Sequence, residues 1–171
     1  MTKGKSRTVQ TEWIDKSTEY IHLAIAEIRK LSHKLAPVSF EINTIKQTFD
    51  TLLKSININN QFKIKFTISE IDELEIDGDI QLNLYRILQE QVNNILKYSK
   101  ADRIEVSIKL INNCIYLRIY DNGIGFDPAV VKKGIGLNNI KKRTELFSGN
   151  FSVNSSPGNG CELVVEIPLQ N

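Results

Sequence analysis

"YDNGIGFDPAVVKKGIGL", residues 120–137, places four glycines in eighteen residues directly behind an apolar alternating run. They fall in two pairs, Gly123-Ile124-Gly125 and Gly134-Ile135-Gly136, with Asp121 just ahead of the first. Glycine is entropically costly in ordered chain, so this density implies a backbone that turns sharply or approaches something closely. The second pair stands immediately before a helical pattern opening near Leu137. Flexible backbone at a helix start offers free N–H groups and a dipole favourable to phosphate. Other phosphate and metal loops do not fit. Asn139 stands where a dinucleotide fingerprint needs its third glycine, and no Gly-Lys-Ser/Thr follows as in a Walker loop. "DNGIGFD" also lacks the alternate carboxylates of a calcium loop.

Upstream, "RIEVSIKLI" (103–111) and "CIYLRIYD" (114–121) alternate as strands joined by Asn112-Asn113, a good hairpin turn. Before them, residues 77–101 read as a helix, since Leu84, Ile87, Leu88, Val92 and Ile95 recur at three- and four-residue steps. "FKIKFTIS" (62–69) alternates as a further half-buried strand, and 39–56 reads as a helix with Phe40, Ile45, Phe49, Leu52, Leu53 and Ile56 on its apolar side. Beyond the glycines come a helix at 137–147 and a hairpin closing around "PGNG". Antiparallel strands with interspersed helices predict an α+β two-layer sandwich, the helices on one face of the sheet. Residues 13–35 carry Ile14, Ile21, Ile28 and Leu35 at intervals of seven, the seam of a coiled coil or bundle whose partner comes from elsewhere. The expected organisation is a polar segment at 1–12, two helices within 13–57, and a globular domain at 60–171.

The 77–101 helix carries a second, polar stripe: Glu90, Asn94 and Tyr98, each four apart, with Lys97 beside them. A solvated helix face is the ordinary explanation. A carboxylate and a carboxamide one turn apart also supply a base and an oxygen ligand for Mg²⁺, which keeps several waters while bridging phosphates. Asp121, at a strand end, is placed to accept a hydrogen bond from the exocyclic amine of an adenine.

Composition limits the alternatives. With 171 residues, 22 basic and 20 acidic, the net charge of +2 gives no field pointing to nucleic acid or an acidic membrane. No apolar run approaches the roughly 20 residues of a spanning helix. The polar start "MTKGKSRTVQ" does not read as a secretory signal, so a cytoplasmic location is expected for this part. Cys114 and Cys161 lie in strand-like runs without metal-type spacing and read as reduced core residues.

In combination these segments resemble the ATP-binding domain shared by gyrase, Hsp90, histidine kinases and MutL, the Bergerat-type fold. "YRILQEQVNNILKYSKADRIEV" is similar to the N box of sensor histidine kinases, "DNGIGFD" to the first glycine box, and "KGIGLNNIKKRTELFSGNFSVNSSPGNGCELVVEIPL" to the second glycine box through the last strand. The closest resemblance within the family is to the nitrate-sensor and desaturase-sensor type, over about residues 60–169, with 13–56 resembling its second dimerisation helix and connector. The resemblance implies ATP and Mg²⁺ as cofactors. It makes Asn94 the Mg²⁺ ligand, Glu90 the base or polarising group, and Asp121 the adenine anchor, with Gly123 and Gly125 shaping the pocket. Gly134, Gly136 and Leu137 become the hinge and phosphate cradle, residues 127–133 a short lid, and Lys97 and Tyr98 the border of the phosphate and ribose side. One position departs: Gly160-Cys161 stands where the last box often reads Gly-Thr, which removes any hydroxyl contact expected there.

The implied activity is transfer of the ATP γ-phosphoryl group to a histidine on a dimerisation helix, for relay to a response regulator, in a homodimeric full-length kinase. His22 and His33 are followed by Leu23 and Lys34, not by an acid, and sit on the second-helix-like segment. Both read as helix-surface residues, so the chain reads as the C-terminal part of a kinase whose acceptor helix is missing, and is expected not to autophosphorylate alone. Two rival readings are an anti-sigma-type serine kinase, disfavoured by the bundle helix, and a non-catalytic binding or dimerisation module, disfavoured by the intact boxes.

Overall fold

The computed structural model describes residues 44–69, 71, 76–129 and 135–169. These lie within one compact unit, Ser39–Asn171. The helix expected at 13–35 with His22 and His33, residues 130–133 of the expected lid, and Gly134 lie outside the described residues.

Five strands form one sheet in the order β1-β2-β3-β5-β4. They are β1 (Lys63–Ser69), β2 (Arg103–Ile111), β3 (Cys114–Asp121), β4 (Asn150–Ser155) and β5 (Cys161–Pro168). The β1–β2 pair is parallel, because a helix intervenes between them; the other pairs are antiparallel. Asn112 and Asn113 both take positive φ, 50° and 61°, the left-handed pair that a two-residue hairpin requires.

Strand alternation separates the two faces. Ile104, Val106 and Ile108 of β2, Ile115, Leu117 and Ile119 of β3, and Leu163, Val165 and Ile167 of β5 all face inward and are buried. Three helices cover that face: α1 (Ile45–Ile56), α2 (Gly78–Asn94) and α3 (Ile135–Glu145). Leu84, Ile87 and Leu88 of α2 and Ile140 of α3 complete the core. The other face carries Arg118 between Glu105 and Glu162. Cys161 is in the core as expected, whereas Cys114 belongs to the outward set of β3 and is only half-buried. Both thiols are free.

The helix expected over 39–56 is described from Ile45. A capping box starts it: the Gln47 amide donates to Thr44 Oγ1 and the Thr44 amide to Gln47 Oε1, each at 3.3 Å. The family resemblance assigned this helix to the connector. In the structure α1 packs on α2 and β1, with the Phe49 ring stacked on Phe66 at a centroid separation of 5.9 Å. Among the described residues, no helix is long and apolar enough to cross a membrane.

Phe49 is fully buried, so Phe49→Ala deletes a large core side chain. Urea unfolding should show a loss of about 3–5 kcal/mol. A loss within the ±0.5 kcal/mol or so typical of surface positions would mean that α1 is not part of this core.

Candidate functional site

The α2 helix starts at Asp77, whose carboxylate accepts from the Asp79 and Ile80 amides at 2.9 and 3.3 Å. Its α-helical part ends at Asn94, and Ile95–Ser99 continue it as a π-helical turn stopped by Lys100 at φ 54°. A π turn takes more residues per revolution than an α turn, and such insertions cluster at functional places. Here it rotates the last residues out of register with the polar stripe. Glu90 and Asn94 are half-buried, whereas Lys97 and Tyr98 are exposed on the π turn, Tyr98 at 67%. The four-residue spacing that aligned Glu90, Asn94 and Tyr98 assumed an uninterrupted α-helix.

The π turn leaves the Ser99 carbonyl free, and the first glycine pair comes to it. The Ile124 amide donates to Ser99 O at 2.7 Å. A Cβ on Gly123 would lie 2.2 Å from the same oxygen, so only glycine permits this approach. Gly125 adopts φ +60° against the Ser156 carbonyl, and the β4–β5 turn closes over it through the Gly158 amide on Ile124 O at 2.7 Å. At the centre is Asp121, 2% exposed, which accepts from the Gly123 amide at 3.0 Å. Burial pushes its carboxyl above the ordinary value, and the Gly123 N–H partly offsets that. Cys161, opposite Asp121 in the β3–β5 register, has its thiol pushed up to about 11, first by burial and then by the Asp121 charge. It is therefore a neutral core thiol, not a nucleophile.

The second glycine pair meets the polar stripe. At the start of α3, a Cβ on Gly136 would lie 2.7 Å from Glu90 Oε1 and 2.9 Å from Asn94 Oδ1. Leu137 beside it is half-buried. Asn83 of α2 ties the far end of α3 down by donating to the Arg143 carbonyl at 2.9 Å. The fold thus gathers Glu90, Asn94 and Gly136 at one place, and Asp121, Gly123 and Gly125 at another, with α2 running between them.

Residues 79–171 match the family described as histidine kinase-, DNA gyrase B-, and HSP90-like ATPase. The chain belongs to this ATPase family. Its fold is that of solved histidine kinases. The histidine kinase AdeS of Acinetobacter baumannii superposes with a TM-score of 0.63 at 16% identity, over 95% of this chain and 85% of that one. The histidine kinase domain of the blue-light activated kinase EL346 of Erythrobacter litoralis gives 0.58 at 14% identity, over 73% and 64%. In sequence, the chain is 28% identical over 153 residues to a sensor-like histidine kinase of Chloroflexus aurantiacus, covering 85% of this chain and 26% of that protein. It is 29% identical over 147 residues to the oxygen sensor histidine kinase NreB of Staphylococcus carnosus, covering 85% and 42%. The chain therefore spans less than half the length of these two relatives. The ATPase family match begins within α2, so α1 and β1 precede it.

Glu90 and Asn94 offer oxygen donors of the kind that a hard cation takes. Among the described residues no three His, Cys, Asp or Glu converge into a metal cage. Two side-chain oxygens beside a glycine backbone match a cation that shares its shell with phosphate oxygens and water. A separate groove of about 780 Å³, lined in part by Leu53, Lys54, Ile64 and Phe66, shares no residue with this site. Sequence reading missed Ser99, Gln91 and Ser155. Of these only Gln91 left a signal, a carboxamide seven residues after Leu84 on an otherwise apolar stripe.

Gly136→Ala should raise intrinsic helix propensity by about 1 kcal/mol while pressing a methyl group into the Glu90 and Asn94 oxygens. The expected result is an unchanged or higher thermal midpoint with ADP affinity reduced about tenfold or more. Unchanged affinity would show that this contact is not part of the site.

Proposed function

We propose that this chain is the ATP-binding catalytic part of a two-component sensor histidine kinase, holding ATP with Mg²⁺ for transfer of the γ-phosphoryl group to a histidine. The observation that carries this reading is the meeting of Glu90 and Asn94 with Gly136, while Asp121 is buried behind the first glycine pair. In this reading Asp121 accepts from the exocyclic amine of adenine, a donor that a buried acceptor needs. Gly123 and Gly125 keep that end free of side chains so that the base enters. Gly134, Gly136 and Leu137 form the phosphate cradle, with the free N–H groups at the α3 start directed at anionic oxygen. Asn94 Oδ1 is the protein ligand for the cation, and Glu90 polarises the attacking imidazole or takes its proton. Lys97 and Tyr98, exposed on the π turn, border the phosphate and ribose side. Magnesium, when bound, supplies charge neutralisation on the transferring phosphoryl group, and phosphoryl transfer depends mostly on such neutralisation and on positioning. The phosphoacceptor helix, a response regulator and a second copy of the full-length kinase are the partners this chemistry implies, with the reaction in the cytoplasm. The NreB likeness in sequence supports the histidine kinase branch of the family over a serine kinase.

The raised carboxyl of Asp121 yields a pair of opposed expectations. A carboxyl whose folded pKa lies above its unfolded value contributes stability below the unfolded pKa that is lost as pH rises through the folded one. At pH 7 the ionisable Asp121 side chain therefore costs stability relative to a neutral isostere. Asp121→Asn keeps an acceptor for the Gly123 amide, so the ligand-free protein should melt at or above the wild-type temperature at pH 7. Its affinity for ADP should nevertheless fall, because a carboxamide accepts more weakly than a carboxylate. Equal ADP affinity by calorimetry would remove Asp121 from the adenine site.

Asn94→Ala should mainly abolish the magnesium dependence of ATP binding. With labelled ATP the chain alone should acquire no acid-labile label, since neither His22 nor His33 is followed by an acid. Supplying an upstream acceptor helix in cis should restore labelling, with Glu90→Gln slowing it, because correct placement of the acceptor supplies much of the rate. Acid-labile label on this chain alone, lost on replacing His22 or His33, would place the acceptor here instead.

A further inference from the structure

Gln91 is a carboxamide on the core face of α2, only 3% exposed. Burying such a group without partners costs about 1–3 kcal/mol, so its contacts are informative. Its Oε1 accepts from Asn94 Nδ2 at 3.3 Å, and its Nε2 meets Cys161 Sγ at 4.0 Å.

The two amides are oriented in series. Gln91 presents Nε2 to the sulfur, which accepts, and Oε1 to Asn94. Asn94 answers with Nδ2, and its Oδ1 is the nearer of its two polar atoms to the place where a Cβ on Gly136 would fall, beside Glu90 Oε1. Turning the Asn94 amide over would set its Oδ1 against Gln91 Oε1, two acceptors with no proton between them.

We propose that Gln91 is a positioning residue that orients the Asn94 carboxamide with its oxygen toward the cation. Its own orientation is set by the contact of its Nε2 with Cys161 Sγ. This inference rests on the reading of Asn94 as the Mg²⁺ ligand. A partner that locks a ligand's orientation is worth about 10–100-fold in metal affinity or activity. The Cys161 position thereby gains a role as a fixed acceptor for Gln91.

Gln91→Met keeps the volume and removes both polar ends. In this variant the magnesium enhancement of ADP affinity, measured by calorimetry with and without MgCl₂, should fall about 10–100-fold. Affinity without magnesium should stay within about twofold, with folding checked by thermal melting. Gln91→Glu, which retains the acceptor toward Asn94 Nδ2, should recover most of the enhancement. Cys161→Val should reproduce the selective loss, and serves if Gln91→Met does not fold. In the ligand-free protein, NMR should show the Asn94 side-chain amide protons exchanging faster in Gln91→Met than in the wild type. A folded Gln91→Met with full magnesium enhancement, or with parallel loss of both affinities, overturns the proposal. If the wild type shows no magnesium enhancement, the ligand reading of Asn94 fails instead. The amide exchange then decides by itself whether Gln91 orients Asn94, and equal exchange rates would sink that as well.

Discussion

The contact on which the site depends is a single carbonyl. Ser99 O, left without a helical partner at the end of the π turn, accepts the Ile124 amide and brings the first glycine loop against α2. A side chain at Gly123 would close this approach. The helix bearing Glu90 and Asn94 and the strand ending in Asp121 are thereby held in fixed relation. Had α2 stayed α-helical through residue 99, the carbonyls of its last turn would have pointed elsewhere, because each residue would have turned further about the axis.

Around that junction, the buried face of the sheet supplies the stability that an open, polar cleft cannot. The inward residues of β2, β3 and β5 meet Leu84, Ile87 and Leu88 of α2, and α1 extends the layer through Phe49 on Phe66. Asp121 sits at the end of this apolar set and is buried by it, which is why its carboxyl is pushed upward. Asp121 thus carries a desolvation cost in the ligand-free state, which the adenine donor proposed above would relieve. Cys161 follows the same logic: a small, neutral, weakly hydrogen-bonding group fits beside a buried acid where a charged thiolate would not.

Among the described residues, two buried amides of α2 reach out of their own helix. Asn83 holds the end of α3, and Gln91 links Asn94 to Cys161. Directional bonds of this kind matter more for orientation than for stability, since an intramolecular hydrogen bond nets only about 1 kcal/mol. If Asn94 is the cation ligand proposed above, an amide orientation decided before the cation arrives favours binding.

Much of this was legible in the order of residues. Alternation in 103–111 and 114–121, the Asn112-Asn113 turn and the spacing of Leu84, Ile87, Leu88, Val92 and Ile95 identified strands and helix, because burial on one face imposes periods of two and 3.6. The two glycine pairs and Asp121 announced a close backbone approach, and their combination with Glu90 and Asn94 announced the family. Other features required the third dimension. Whether Tyr98 stays on the Glu90–Asn94 stripe depends on a π turn that its neighbours stabilise, and no local period signals it. Membership of α1 in the domain layer depends on a ring stacked across a loop. Asn94 donates to Gln91, whose other end meets Cys161, a residue distant along the chain. Sequence by itself determined which residues are apolar, which positions lack side chains and which carry acids and amides, since those are local properties. Only the tertiary structure decided which of them meet and which way each amide points, because those outcomes depend on contacts between segments far apart in the chain.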